Sequence, residues 1–363
     1  MTLRVGITAT LDGPDGASFV QEAERLGADS VWVPEFWAFD ALTPLAYLAA
    51  TTSTIRLATA IAQLGARTPA LLAMSAQSMQ VLSGGRFVLG IGTSGPQVME
   101  GWHGIDFDHP LARTRETIEI VRQITAGERL EHRGRIYQLP RPGGEGRAIR
   151  SPVPPMPVPV FVASLGPANL RLTGELGDGW IGNSFLPETA SVFTDPIRQG
   201  ALAAGRDPDR IELTVAVGVE FTDDVERAAR RHADGYAFTF GAMGSPTRNF
   251  YKDAFTRQGF GDDVGEVERL WRAGDRDAAR RRVPLAIGLG TNLIGTDQMV
   301  KDRLRAYRAA GIHTLRAGLE GRSARRLDSL ARLIDLVAEV NAEPGSGRPP
   351  PGSGVPDGSP ART

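Results

Sequence analysis

At 363 residues the chain is long enough for one large domain or two ordinary ones, and a closed α/β barrel with insertions fits without a second core. Lys+Arg 41 against Asp+Glu 42 leaves a formal charge of −1, which gives no electrostatic case for nucleic acid or an anionic membrane. A small-molecule partner is expected, and the absence of cysteine removes disulfides, thiol nucleophiles and thiolate metal sites. No two of the histidines (His103, His109, His132, His232, His313) form a helical metal-binding pair, so no metal site is expected. The amino end reads directly as a strand rather than a signal peptide, and no apolar run is long enough to span a bilayer. The expected location is cytoplasmic.

In chain order, residues 3–9 read as a first strand and 17–26 as a helix with Phe19, Val20, Ala23 and Leu26 on one stripe, stopped by Gly27. A second strand over 29–35 presents Pro34, Glu35, Phe36 and Trp37 at its carboxyl end, and helical spacing resumes over 43–50. Residues 55–64 read as a third strand, after which Thr68-Pro69 supplies a cap and a first-turn proline to a helix running to Leu82. The fourth strand, 86–92, has no polar alternation, as expected of a strand covered on both faces. It opens into a Gly-rich loop bearing Glu100, Trp102 and His103, placed where parallel α/β sheets bind their ligands.

A fourth helix over 110–125 is followed by a break in the rhythm: a hairpin over 129–139 around Arg133-Gly134, then a Pro- and Gly-rich stretch to Pro159. Strands follow at 159–164, 178–183 and 211–221, with a helix through Leu176 between the first two. Residues 223–295 form a second, mostly helical excursion that includes a helix over 266–282. Thr296-Asp297 starts a helix through Ala310, 314–319 is the eighth strand, and a helix over 324–341 closes the set. Eight βα units predict a (β/α)8 TIM barrel with insertions after strands 4 and 7, one domain over 1–343. Residues 344–363 have almost nothing to bury and predict a disordered tail.

The run Ser83-Gly84-Gly85-Arg86-Phe87 into Gly90-Ile91-Gly92-Thr93-Ser94-Gly95-Pro96-Gln97 resembles the luciferase-like flavin and deazaflavin oxidoreductases. Arg67-Thr68-Pro69 and Gly101-Trp102-His103-Gly104 sharpen the likeness toward the branch that uses coenzyme F420, related to methylenetetrahydromethanopterin reductase. The resemblance implies a tricyclic ring held over the carboxyl ends of the strands, lined by Gly92, Thr93 and Ser94. It implies a non-prolyl cis peptide at Ala60-Ile61 pressing a bulge against that ring, and a homodimer. It also places the cofactor phosphate at Ser164-Leu165-Gly166-Pro167, where unpaired amides and the helix macrodipole suit an anion. Taken alone, that segment reads first as an ordinary βα turn, and the family position is what turns the reading toward phosphate.

Glu35 stands at an acidic position of the family and reads either as a partly desolvated acid/base or as a capping or salt-bridged side chain. His103 is the other candidate acid/base, or a solvated loop histidine. The implied activity is hydride transfer between F420 and a small organic substrate, a C=O, C=N, C=C or alcohol. An FMN-dependent monooxygenase and a catalytically silent cofactor-binding barrel are the alternatives. Residues 143–157 and 235–295 are the expected specificity-bearing stretches.

Overall fold

The computed structural model describes residues 2–11, 14–243 and 249–344. The first half contains β1 (Arg4–Thr8), α1 (Pro14–Arg25), β2 (Ser30–Val33), α2 (Leu42–Thr51), β3 (Arg56–Thr59), β4 (Ala62–Gln63), α3 (Pro69–Ser83) and β5 (Phe87–Gly92). A short α4 (Pro96–Met99), α5 (Pro110–Thr125) and the hairpin strands β6 (His132–Arg133) and β7 (Gln138–Leu139) lead to β8 (Val160–Ala163). Next come α6 (Pro167–Leu176), β9 (Gly179–Gly182), α7 (Ser191–Ala203) and β10 (Glu212–Phe221). The helical excursion comprises α8 (Val225–Gly241), α9 (Phe250–Phe255), α10 (Gly261–Arg272), α11 (Arg276–Arg282) and α12 (Leu285–Gly290). The short β11 (Leu293–Gly295), then α13 (Asp297–Ala309), β12 (Thr314–Leu319) and α14 (Ser323–Ala342), complete the order.

Every barrel pairing is parallel, in the order β1-β2-β3-β5-β8-β9-β10-β12, and β12 returns to β1 with Arg4 opposite Thr314 and Gly6 opposite Arg316. The sheet therefore closes, and the expected (β/α)8 TIM barrel is formed. Local sequence explains the helix boundaries: the Thr68 hydroxyl accepts from the Leu71 N–H at 3.2 Å ahead of Pro69, and Gly84 ends α3 at φ 64°. Closure also demands one close approach. A Cβ at Gly90 would lie 1.9 Å from the Thr59 carbonyl oxygen, so only glycine lets β3 and β5 meet there.

The barrel interior is filled in layers, recognisable because their contacts join strands that are not neighbours. At the amino end Arg56 of β3 forms paired hydrogen bonds, 2.8 and 3.0 Å, to Glu212 of β10, and Arg4 and Asp29 join the network. Above it, Trp32 of β2 meets Phe161 of β8 with ring centroids 5.9 Å apart, packed among Ala58, Val88 and Ile181. The larger core lies between the strands and the surrounding helices.

Four local expectations change. The strand over 55–64 is interrupted between β3 and β4 at the Ala60-Ile61 peptide bond, which is cis as the resemblance implies. The helix over 266–282 is two helices: Gly274 adopts φ 86°, and Asp275 restarts the chain by accepting from the Ala278 N–H at 3.0 Å. The hairpin turn is centred on Arg135-Ile136, two residues later than Arg133-Gly134, closed by the Gly134 N–H on the Tyr137 carbonyl, with Glu116 of α5 accepting from three turn amides. Helix α7 and strand β11 are additional elements. Of the tail expected over 344–363, all but Pro344 lies outside the described residues.

The excursion after β10 carries its own apolar cluster, in which Phe240 and Phe255 meet edge to face at 5.1 Å. It is stitched to the barrel by the π-helical turn at residues 256–260. There the Gln258 side chain donates to the Ser184 carbonyl at 2.7 Å and accepts from the Leu186 N–H at 3.1 Å.

The ionic layer generates a pH prediction. Burial pushes the Glu212 carboxyl up, but the hydrogen bonds and charges of Arg56 and then Arg4 outweigh it, leaving the group below its ordinary value. A depressed folded value means that stabilisation is present above the unfolded pKa and is lost as pH falls through the folded one. Glu212→Gln is therefore expected to lower unfolding free energy at pH 7 by about 2 kcal/mol, because it leaves two half-buried arginines with Asp29 alone. The deficit against wild type should shrink below about pH 4 in denaturant titrations at both pH values.

Candidate active site

At the carboxyl mouth of the barrel one carboxylate organises three loops. Glu35, just past β2 and buried, forms a two-pronged pair with Arg67 at 2.7 and 2.8 Å. It also accepts from the backbone N–H groups of Ala41 and Gln63, both at 3.2 Å. These bonds are the first cause holding the Arg67 guanidinium above its ordinary value. All four acceptor positions of the carboxylate are occupied. Of the two readings of Glu35, the geometry matches the salt-bridged one, and the acid/base role finds no free lone pair there.

Gln63, which sequence reasoning passed over, connects this pair to His103. Its amide donates to the Glu35 carbonyl at 2.9 Å, leaving Oε1 toward His103 Nε2 at 2.8 Å. With that orientation of the amide, Nε2 carries the ring proton, and Nδ1 is the atom able to take or give one. The available signal was a polar side chain inside an apolar strand: Gln63 is 2% exposed. The other four histidines are engaged elsewhere, His109 with Arg135, His132 beside Glu116, His232 with Glu220 and His313 with the Leu213 N–H.

The expected ring-lining residues converge. Gln63 of β4 stands opposite Gly92 of β5, and Ile61 approaches so closely that a Cβ at Gly92 would lie 3.1 Å from its Cδ1. Ala60 and Ile61 form the break between β3 and β4, while Thr93 and Ser94 follow β5, Ser94 at φ 57°. Phe36, Trp37 and Trp102 are more than half exposed.

The expected phosphate segment begins α6. Gly166 is its N-cap, Pro167 its first residue, and nothing lies within 4 Å of where a Gly166 Cβ would stand. The first-turn amides of α6 have no intrahelical acceptor. Ser164 is turned inward, its hydroxyl 2.8 Å from that of Thr173, and its carbonyl accepts from Trp180 Nε1 at 2.8 Å. Leu165 contributes its carbonyl to Arg257 at 2.5 Å. Arg257 was not foreseen, since it arrives from the π-helical turn of a distant excursion. Burial pushes its guanidinium down and leaves Nε without a partner, while Nη2 sets the cation one residue ahead of the α6 N-cap. These residues fit a phosphate-bearing cofactor.

Among the described residues no group of three or more potential metal ligands occurs, and no helix is long and apolar enough to cross a membrane.

Comparison with known proteins agrees with this architecture. The chain is 36% identical over 341 residues to a protein of Mycobacterium tuberculosis (strain ATCC 25618 / H37Rv) named "Putative coenzyme F420-dependent oxidoreductase", covering 92% of this chain and 98% of that one. It is 33% identical over 231 residues to the 5,10-methylenetetrahydromethanopterin reductase of Methanolobus tindarius, covering 63% and 68% of the two chains. The fold is similar to that of the coenzyme F420 dependent tetrahydromethanopterin reductase from Methanopyrus kandleri, with a TM-score of 0.75, 21% identity and coverage of 92% and 98%. The model of the family described as luciferase-like monooxygenase matches residues 6–314, and the chain belongs to that family.

Proposed function

We propose that this chain is a coenzyme F420-dependent oxidoreductase that transfers a hydride between the deazaflavin and a small organic substrate, working as one barrel domain over 1–343. The observation that carries the reading is the open amino end of α6, with the Arg257 guanidinium fixed one residue ahead of its N-cap by the Nη2 bond to the Leu165 carbonyl. Support also comes from the mycobacterial relative, whose name gives this cofactor.

In this reading the Ser164-Leu165-Gly166-Pro167 segment holds the phosphate through the N–H groups of its non-proline residues and the α6 macrodipole, with Pro167 setting the helix start and Arg257 as counter-charge. Ala60, Ile61, Gly92, Thr93 and Ser94 form the wall against which the ring lies. When bound, the deazaflavin supplies or accepts the hydride. His103 gives or takes the accompanying proton at Nδ1, with its tautomer fixed by Gln63. Glu35 positions Gln63 and Arg67. Phe36, Trp37 and Trp102 shield the mouth from water.

The chain also fits a homodimer. Leu71, Met74 and Leu82 lie at helical spacing on the outer face of α3, and all three are exposed, as is Tyr47 on the adjacent α2. Such an apolar stripe is what a second copy covers.

Five outcomes are expected. Gly166→Asp places a carboxylate on the free amides while capping α6 itself, so the variant stays folded and binds F420 at least about tenfold more weakly, roughly 1.4 kcal/mol, in Trp-fluorescence titrations. FMN titrated in parallel is expected to bind more weakly than F420, and tight FMN binding without F420 binding defeats the reading. His103→Asn is expected to cut turnover by about 10²-fold or more, with F420 affinity unchanged, when a panel of ketones and secondary alcohols is followed at the F420 absorbance. Glu35→Gln, by contrast, should lower the thermal midpoint more than it lowers turnover. Met74→Asp is expected to halve the mass seen by light scattering, and an unaltered mass would count against the α3 face.

A further inference from the structure

The two ends of the barrel interior treat arginine differently. Arg4 and Arg56 at the amino end are answered by Asp29 and Glu212. Arg316, on β12 at the level of Gly6 and Ala216, has no such answer. It is 4% exposed, and among the described residues no carboxylate lies within ion-pair distance of it. Nη2 donates to neutral acceptors, the Gly182 carbonyl at 2.5 Å and Asn183 Oδ1 at 3.3 Å, while Nε has no partner. The guanidinium lies over Trp32, 5.5 Å from the ring centroid. Burial pushes it down to about 10, still charged at neutral pH.

Such an arrangement is costly for stability alone, since a buried charge is normally paired. The cost has an evident object: Arg316 faces a cavity of about 380 Å³ at the carboxyl mouth, the size of a small-ligand site. Its walls include Thr8, Asn183, Tyr251 and Asn292, and among the described residues Arg316 is its sole charged lining residue. One cation among neutral donors suits a monoanion, whereas a phosphate dianion calls for more positive charge than this wall offers. A planar guanidinium matches a carboxylate.

We propose that the substrate is a small organic carboxylate whose anionic group is clamped by Arg316 in the cavity bounded by Thr8, Asn183 and Tyr251. This rests on the oxidoreductase reading for its hydride chemistry, but the anion site is testable without it. Trp32, in contact with the guanidinium, is the reporter. Wild-type protein, with and without F420, is titrated at constant ionic strength with propionate, its neutral analogue propionamide, and inorganic phosphate. The expected result is a saturable change in Trp fluorescence with propionate in the millimolar range, at least tenfold weaker for the other two probes.

Arg316→Met keeps the stem on Trp32 and removes the charge, and is expected to weaken propionate binding at least tenfold while leaving F420 affinity within twofold. Arg316→Lys keeps the charge without the fork and should lie between, so one variant reports even if the other does not fold. Equal binding of propionate and propionamide, no saturation by 100 mM, or an unchanged response in both variants overturns the proposal. Tighter binding of phosphate overturns the carboxylate assignment, and competition between propionate and F420 assigns Arg316 to the cofactor instead. Failure of F420 to bind wild type, with the propionate response intact, refutes the cofactor reading and leaves the anion site standing.

Discussion

The pairing of Glu35 with Arg67 is the contact on which the mouth of the barrel depends. It joins the loop after β2 to the segment after β4, and through Gln63 it reaches the loop after β5. Three segments, each too short to hold a shape by itself, are thereby fixed against one another with hydrogen bonds of charged groups. Such a pair contributes little if judged against an apolar replacement, but breaking it leaves a buried charge that costs several kcal/mol. What it provides is position: His103 is held by a neutral amide that is itself held by the pair.

The same logic separates the two ends of the barrel. At the amino end opposite charges cancel across the lumen and close it as a structural plug, which is where barrels place stability. An aromatic layer of Trp32 and Phe161 seals the middle. Above that layer the polar groups face a cavity, and the balance of charge is left incomplete at Arg316. Paired and unpaired charge thus divide along the barrel axis, with the tryptophan ring as the boundary.

Much of this was legible in the sequence, and the reasons are specific. The eight strands announced themselves as apolar runs because both faces of a parallel barrel are covered, and Thr68, Gly84 and Thr296 marked helix ends through their own side-chain or backbone preferences. The segment from Ser164 to Pro167 was visible because a βα turn is local. Arg257 and Arg316 were not, since an arginine's partners, or lack of them, are decided by elements distant in sequence. Gln63 was hidden by the apolar run around it. The helix over 266–282 was misread because its charged composition suits helix throughout, and only the positive φ of Gly274 divides it. Glu35 reads from sequence either as an acid/base or as a salt-bridged side chain, because its partner Arg67 comes from another loop; the bidentate pair matches the second reading.

The π-helical turn at 256–260 places two consecutive side chains on two different barrel loops, Arg257 on the loop before α6 and Gln258 on the segment after β9. Adding or deleting one residue ahead of it along the helix would rotate both side chains by roughly 100° and detach both loops at once. The outer helices α10 and α11 carry no such double obligation. Lineages derived from this chain therefore have room to vary the length of the excursion after residue 260, whereas the stretch from 249 to 260 is a fixed ruler whose residue count cannot drift.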